Sequence, residues 1–258
     1  MSIKSKLKSG KISIGTWVQM PSVHAAFILA KTGFDWICFD LEHGAITHET
    51  LSIMVQAVQS TGCIPFARVA GTDPILIKQA LDTGIQGIIL PMINSELDAK
   101  RALSACFYPP LGTRGVGFSL ANSYGKEFES YFHSIHHNLC VVLQIEHISA
   151  VKDLDAIFTL QGIDAVMIGP YDLSASMGKT GKFDDPSYQN LINQIYSQAK
   201  NHHISPGLHI VNPSPEEFTQ RVSEGFQFIA YGIDAVFLNR IATDHVSLLR
   251  HGILEKKK

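Results

Sequence analysis

DWICFDL, residues 35–41, decides the fold. It is short, and between its two acids Trp36, Ile37, Cys38 and Phe39 leave neither alternating face polar. A strand buried on both faces reads this way. Seven more segments read alike: SIGTWVQ (13–19), IPFARVA (64–70), GIILPMI (87–93), CVVLQIE (140–146), DAVMIG (164–169), GLHIV (207–211) and FQFIAYG (226–232). Longer amphipathic runs separate them, at 22–33, 48–62, 73–84, 95–106, 149–160, 186–203, 214–225 and 234–252. Several of these start at Ser, Asp or Pro, and Gly33, Gly62, Gly84 and Gly225 end four of them. Those are helix start and stop signals. Strand and helix in strict alternation predict a (β/α)8 barrel as one domain over 1–258. The rival, a doubly wound open sheet, usually has fewer strands and a glycine-rich first turn, and GxGxxG is absent.

One long connection, residues 107–138, interrupts the pattern. A connection of this length is a functional lid or a disordered segment. Pro109, Pro110, Gly112, Gly115 and Gly117 favour shaped turns over disorder.

Composition narrows the function classes. The chain has 258 residues, 45% of them hydrophobic and 17% charged, with net charge −2. A nucleic-acid binder carries a basic stripe, whereas the basic run here is Lys256-Lys257-Lys258, which reads as a solvated end. Cys38, Cys63, Cys106 and Cys140 show no CxxC spacing, which predicts a reducing, cytoplasmic setting. The basic N-terminus lacks an apolar stretch of signal-peptide length, and no run is long enough for a membrane span.

In such barrels chemistry gathers at the C-terminal ends of the strands. Here those ends carry Asp40, Glu42 and His43, then Arg68, then Gln144 and Glu146, then Gly169, Pro170, Tyr171 and Asp172, then His209. Alternation puts Asp40 and Glu42 on one side, and Gln144 with Glu146. Glu146 and Asp172 lack a cationic partner in their own motifs. Carboxylates forced together call for a cation or a shared proton. A hard divalent ion, Mg²⁺ or Mn²⁺, satisfies them with waters and substrate oxygens. The helix opening at Asp172-Leu173-Ser174 offers N–H groups to an anion beside it.

Each residue also has a structural alternative. Glu146 and Asp172 could cap helices, Arg68 could pair with Asp40 or Asp82, and His43 could be a rim histidine. Asp82 ends a helix, an unfavourable place for an acid against the dipole, which points to a functional pairing. His136-His137 and His202-His203 lack zinc spacing and read as structural. No Lys lies in a strand segment, which argues against Schiff-base chemistry.

GFDWICFDLEH, FARV, LDTGIQGIILPM, YPPLGTRGVG, VVLQIE, GPYDLSASMG and YGIDAVFLNR resemble, in order and spacing, the HpcH/HpaI family of class II pyruvate aldolases. The resemblance covers roughly residues 12–245. It implies a barrel that uses Mg²⁺, Mn²⁺ or Co²⁺ to cleave a 4-hydroxy-2-oxo acid into pyruvate and an aldehyde. It implies Glu146 and Asp172 as metal ligands, His43 as base and Arg68 on the enolate oxygen. Asp82 would orient His43, across a subunit boundary, and Asp40 belongs to the catalytic DLEH motif. Gln144 and the Gly169–Pro170–Tyr171–Asp172 backbone would hold pyruvate. It further implies a hexamer, a trimer of dimers, with the last helix exchanged between partners. Three departures fall on the aldehyde side: EHGAIT after the DLEH motif, Tyr171 where the type member has Ala, and SYGKEF, which lacks a basic cluster. Two other readings compete: a lyase of the same superfamily acting on a citramalyl- or malyl-type CoA thioester, and a non-catalytic barrel that binds an oxo acid.

Overall fold

All eight strands are parallel and close into one barrel, each paired with its sequence neighbours and β8 with β1. The computed structural model describes residues 2–255, so Lys256, Lys257 and Lys258 lie outside the described residues. The chain opens with α1 (Ile3–Lys8), then runs β1 (Ser13–Val18), α2 (Val23–Ala30), β2 (Trp36–Asp40), α3 (His48–Gln59), β3 (Ile64–Arg68), α4 (Pro74–Asp82), β4 (Gly87–Leu90) and α5 (Glu96–Cys106). A 3₁₀ turn (Leu120–Gly125) and α6 (Phe128–Asn138) order the long connection. Next come β5 (Cys140–Ile145), α7 (Ile148–Lys152), α8 (Leu154–Phe158), β6 (Ala165–Ile168), α9 (Pro170–Ser176), α10 (Pro186–Asn201), β7 (Ser205–Ile210), α11 (Pro215–Ser223), β8 (Phe228–Ile233) and α12 (Asp234–Glu255). The expected barrel is therefore the observed fold.

The details depart from the expectation in instructive places. β4 stops at Leu90, because Pro91 has no N–H to donate to the ladder. The helix expected over 149–160 is two, broken at Asp153, which caps the end of α7 and the start of α8. Helix α1 was not expected from its basic composition. Its Ile3 and Leu7 are buried against the barrel interior, and Lys4 reaches Asp164 at 3.3 Å.

The barrel interior follows the two-residue period of a strand. Trp36 and Cys38 of β2, Phe66 of β3, Cys140 and Val142 of β5, Met167 of β6 and Phe228 of β8 fill it. The Trp36 and Phe228 rings stack at 4.5 Å, and Phe66 tilts against both. Glycines face these rings: a Cβ on Gly15 would lie 2.0 Å from Trp36, and one on Gly87 2.0 Å from Phe66. Large rings opposite missing side chains are how the taper is filled. The odd rows, such as Ile37, Phe39, Val141 and Leu143, pack outward under the helices. Carrying the inner rows one step further brings Asp40, Arg68, Gln144 and His209 to the C-terminal mouth. The aromatic layer thus forms a closed floor under a polar rim.

Candidate active site

Arg68 is the centre of the rim. Its Nε and Nη2 donate to the two Asp40 oxygens at 3.0 and 2.8 Å, a bidentate fork. Its guanidinium lies 4.3 Å from the Trp17 ring centroid. Nη1 sits 2.9 Å from Glu42 Oε2. That approach is an ion pair without hydrogen-bond alignment, so Glu42 Oε2 is buried without a donor. Asp40 and Glu42 therefore do face one side, but for different reasons: Asp40 ends β2, and Glu42 lies in the turn beyond it.

Asp40 also organises that turn. Its Oδ1 accepts from the backbone N–H groups of Glu42 and His43 at 3.1 and 3.2 Å, and Oδ2 accepts from Gln19 at 2.9 Å. Gly44 must follow, because a Cβ there would lie 2.2 Å from the Asp40 carbonyl oxygen. The His43 backbone is fixed in this way while its side chain stays exposed. Gln19 is held in turn by Asp234, whose carboxylate accepts from the Gln19 and Met20 N–H groups and from Ala235 at the start of α12. The sequence reading assigned no role to Gln19, Glu42, Trp17 or Asp234. Glu42 was placed on the rim by alternation, whereas Trp17, Gln19 and Asp234 are revealed only by the pairing of β1 with β2 and β8.

Glu146 and Gln144 form the second half. Gln144 Nε2 donates to Glu146 Oε2, and the Met92 N–H donates to Oε1 at 2.5 Å. Met92 adopts φ 57°, a left-handed conformation that costs a non-glycine residue energy. It turns the N–H at the end of β4 onto the carboxylate. Gly169 closes the other side: a Cβ would lie 3.0 Å from Glu146 Cβ and 3.4 Å from Gln144 Nε2. Asp172 stands in the first turn of α9, exposed, close enough for its charge to act on Glu146.

The electrostatics divide the acids. Burial opposes the Asp40 charge, but the Arg68 fork and Gln19 outweigh it and hold the carboxyl below its ordinary range. Burial pushes Glu146 up; the Gln144 and Met92 donors oppose this, and the Asp172 charge adds to it. Burial also raises Glu42, with Arg68 opposing and Glu146 reinforcing. Two acids held above their usual values beside a third, one with an orphaned oxygen, are the charge pattern that a hard divalent cation offsets. Among the described residues no three His, Cys, Asp or Glu side chains gather as a metal cage; Glu146 and Asp172 are two oxygen donors that would leave the other positions of a hard divalent ion to water and substrate oxygens.

Asp82 is elsewhere. It ends α4, at the N-terminal rim, and accepts from Arg114 Nη2 at 2.7 Å. Arg114 is buried, donates to Tyr131 Oη at 3.1 Å and lies over the Tyr108 ring at 4.8 Å. Within one chain Asp82 and His43 are at opposite ends of the barrel. The expected pairing of Arg68 is with Asp40 rather than Asp82.

A small cavity of about 80 Å³ opens on this rim, lined among others by Arg68, Gln144, Gly169, Pro170, Tyr171 and Asp172. It abuts a larger one of about 340 Å³ between β7, α10 and α11. No helix among the described residues is long and apolar enough to cross a membrane. All four cysteines are buried and free.

The profile of the HpcH/HpaI aldolase/citrate lyase family matches residues 13–240. The chain is 38% identical over 243 residues to a 4-hydroxy-2-oxo-heptane-1,7-dioate aldolase of Escherichia coli, covering 93% of this chain and 92% of the relative. Among solved structures, an HpcH/HpaI aldolase/citrate lyase family protein from Burkholderia cenocepacia superposes with TM-score 0.91 at 26% identity, over 96% of this chain and 98% of that one. An HpcH/HpaI aldolase from Desulfitobacterium hafniense gives 0.90 at 27% identity, over 97% of both chains. This chain belongs to the HpcH/HpaI aldolase/citrate lyase family.

Proposed function

We propose that this protein cleaves a 4-hydroxy-2-oxo acid reversibly into pyruvate and an aldehyde, as a class II aldolase. The observation that carries this reading is Arg68, fixed by Asp40 and Glu42 on the same rim as the Gln144–Glu146 pair and Asp172. The reading includes a divalent metal ion. Glu146 and Asp172 would hold the ion, Mg²⁺ or Mn²⁺, or Co²⁺. When bound it supplies positive charge to the 2-oxo and carboxylate oxygens of the substrate.

The remaining work falls to the chain. His43 takes the proton of the C4 hydroxyl. The C3–C4 bond breaks, its electron pair passes to C3 and the C2 carbonyl, and the aldehyde leaves. Two Arg68 N–H bonds are committed to Asp40 out of five on a guanidinium, so N–H groups remain for the enolate oxygen. A proton returned to C3 completes pyruvate. Gln144 and the Gly169–Pro170–Tyr171 segment position the oxo acid. Imidazole can both take a proton and return it, which suits this step.

The oligomer belongs to the same reading. Leu238, Ile241, Val246, Leu248 and Leu249 of α12 are all exposed, an apolar stripe that needs cover. Exchange of α12 between two copies covers it and makes a dimer, and three dimers make the hexamer. Asp82 then reaches the His43 of a neighbouring subunit rather than its own. The four free thiols suit the cytoplasm.

The test is hydrogen exchange at the pyruvate methyl group in D₂O, followed by NMR. Metal-loaded protein should exchange the methyl protons, and EDTA-stripped protein should not. His43→Ala should bind pyruvate yet release none from a 4-hydroxy-2-oxo acid. Full turnover in His43→Ala would show that another group is the base.

A further inference from the structure

Among the described residues Arg68 and Arg114 are the buried arginines, and they hold their acids differently. Arg68 spends Nε and Nη2 together on both oxygens of Asp40. Arg114 gives Asp82 a single bond, Nη2 to Oδ1 at 2.7 Å, and turns Nη1 to Tyr131 Oη at 3.1 Å. Its Nε is buried without a partner. A fork onto Asp82 would satisfy Nε and take up Oδ2. The observed contact leaves a buried donor unpaired, which costs energy, and leaves Oδ2 without a donor among the described residues.

The surroundings of the pair point the same way. The Arg114 side chain is fully enclosed, whereas 31% of the Asp82 side chain is open. The guanidinium lies over the Tyr108 and Tyr131 rings, 4.8 and 5.5 Å from their centroids. Burial raises both phenols, so they stay neutral and Asp82 is the anion that pairs with Arg114. The backbone is pinned as well. The Arg114 N–H donates to the Phe107 carbonyl at 2.9 Å, and the Thr113 N–H to the Ser104 carbonyl at 2.7 Å, at the end of α5. Gly112 permits this turn, because a Cβ there would lie 2.2 Å from the Ser104 oxygen. A rigid cation thus fixes one oxygen of a half-exposed carboxylate and leaves the other for a donor from outside the subunit.

We infer that Arg114 is a positioning residue, which fixes Asp82 through Oδ1 so that Oδ2 accepts the ring N–H of His43 in a neighbouring subunit. This rests on the reading above, in which Asp82 serves the His43 of a neighbour. A histidine whose N–H is held by a carboxylate presents its other nitrogen unprotonated and in a fixed direction, here toward the C4 hydroxyl. The long connection lies at the far rim from its own site, and through Arg114 it acts on the site next door. Without Arg114 the Asp82 carboxylate keeps its charge and loses its aim.

The experiment follows pyruvate release from a 4-hydroxy-2-oxo acid by the metal-loaded full chain, with kcat taken per Mg²⁺-binding site titrated. Arg114→Met should lower kcat about tenfold with KM unchanged, inside the roughly hundredfold that a misplaced catalytic group costs. Arg114→Lys restores a cation beside Asp82 and should recover part of the loss. Asp82→Asn should lower kcat by itself, and adding Arg114→Met to it should lower kcat no further, because the two residues act as a unit. A role confined to stability would lower Tm in both backgrounds and leave kcat per site alone. A kcat within about twofold of wild type in Arg114→Met, or equal losses with and without Asp82→Asn, overturns the inference. Should Arg114→Met fail to fold, Arg114→Lys carries the same comparison: a partial loss beside Asp82 and none beside the Asp82→Asn change. No release from wild type with metal bound removes the aldolase reading, and this inference with it. Wild-type turnover in Asp82→Asn removes the role of Asp82 and this inference. Wild-type release that Arg114→Met leaves intact removes this inference alone.

Discussion

Arg68→Ala will lower kcat/KM for pyruvate release by about a thousandfold, the scale on which removal of a pre-aimed oxyanion donor acts. It will also unsettle the rim. Asp40 is fully buried and loses both guanidinium bonds, and Glu42 loses its ion pair. Removing one partner of a buried pair costs about 3 kcal/mol or more, because the other charge stays behind. Arg68→Lys should recover little, since one ammonium cannot supply the fork that Asp40 accepts. A pH series adds a sign. The Asp40 pKa is lowered in the fold, so its contribution is present above the ordinary carboxylate range and is lost as pH falls through its folded value. Urea midpoints from pH 6 downward should show this loss in wild type and much less of it in Arg68→Ala. Activity within tenfold of wild type would remove Arg68 from the chemistry.

Glu146→Gln will separate stability from function. Burial raises the Glu146 pKa, so the fold takes up this proton more readily than the unfolded chain. Its charged form therefore opposes folding above the folded pKa, and that penalty fades as pH falls through the folded pKa and is gone below the ordinary glutamate value. A neutral isostere escapes it. Its amide can still accept from the Met92 N–H, and Gln144 can turn its oxygen toward the new NH₂. Metal-free Glu146→Gln should melt higher than metal-free wild type, by about 2–4 °C for each kcal/mol relieved in a chain of this size. Mg²⁺ or Mn²⁺ should raise the Tm of wild type and not of the variant, and pyruvate release should be lost. A variant that melts lower without metal, or that still gains Tm from metal, would contradict the assignment of Glu146.

The barrel was legible because burial on both faces leaves a plain mark. Segments such as DWICFDL and CVVLQIE have no polar face, and eight of them in strict alternation with helices close into a parallel barrel. Helix α1 was not legible, because Ile3 and Leu7 show two apolar positions among lysines and gain meaning only from the barrel floor above them. Asp153 hides a helix break inside an amphipathic run. In the site, residues on one strand end were readable by alternation, as with Gln144 beside Glu146. Contacts made by closure were not. Gln19 reaches Asp40 from β1, and Asp234 steadies Gln19 from the far end of the chain. Asp82 was rightly singled out as an acid at a helix end. Its partner in this chain, Arg114, lies in the RGVG motif and gave no sign of pairing with it.

The most direct test of the central claim is turnover on metal add-back. The protein is stripped with EDTA, returned to Mg²⁺ or Mn²⁺, and supplied with 4-hydroxy-2-oxo acids bearing a hydroxylated, a plain or a carboxylate tail. Pyruvate release is then followed. The account predicts release that depends on the ion from at least one of them. No release from any of them, with metal bound and the fold intact, would contradict it and turn attention to a thioester substrate or to oxo-acid binding without catalysis.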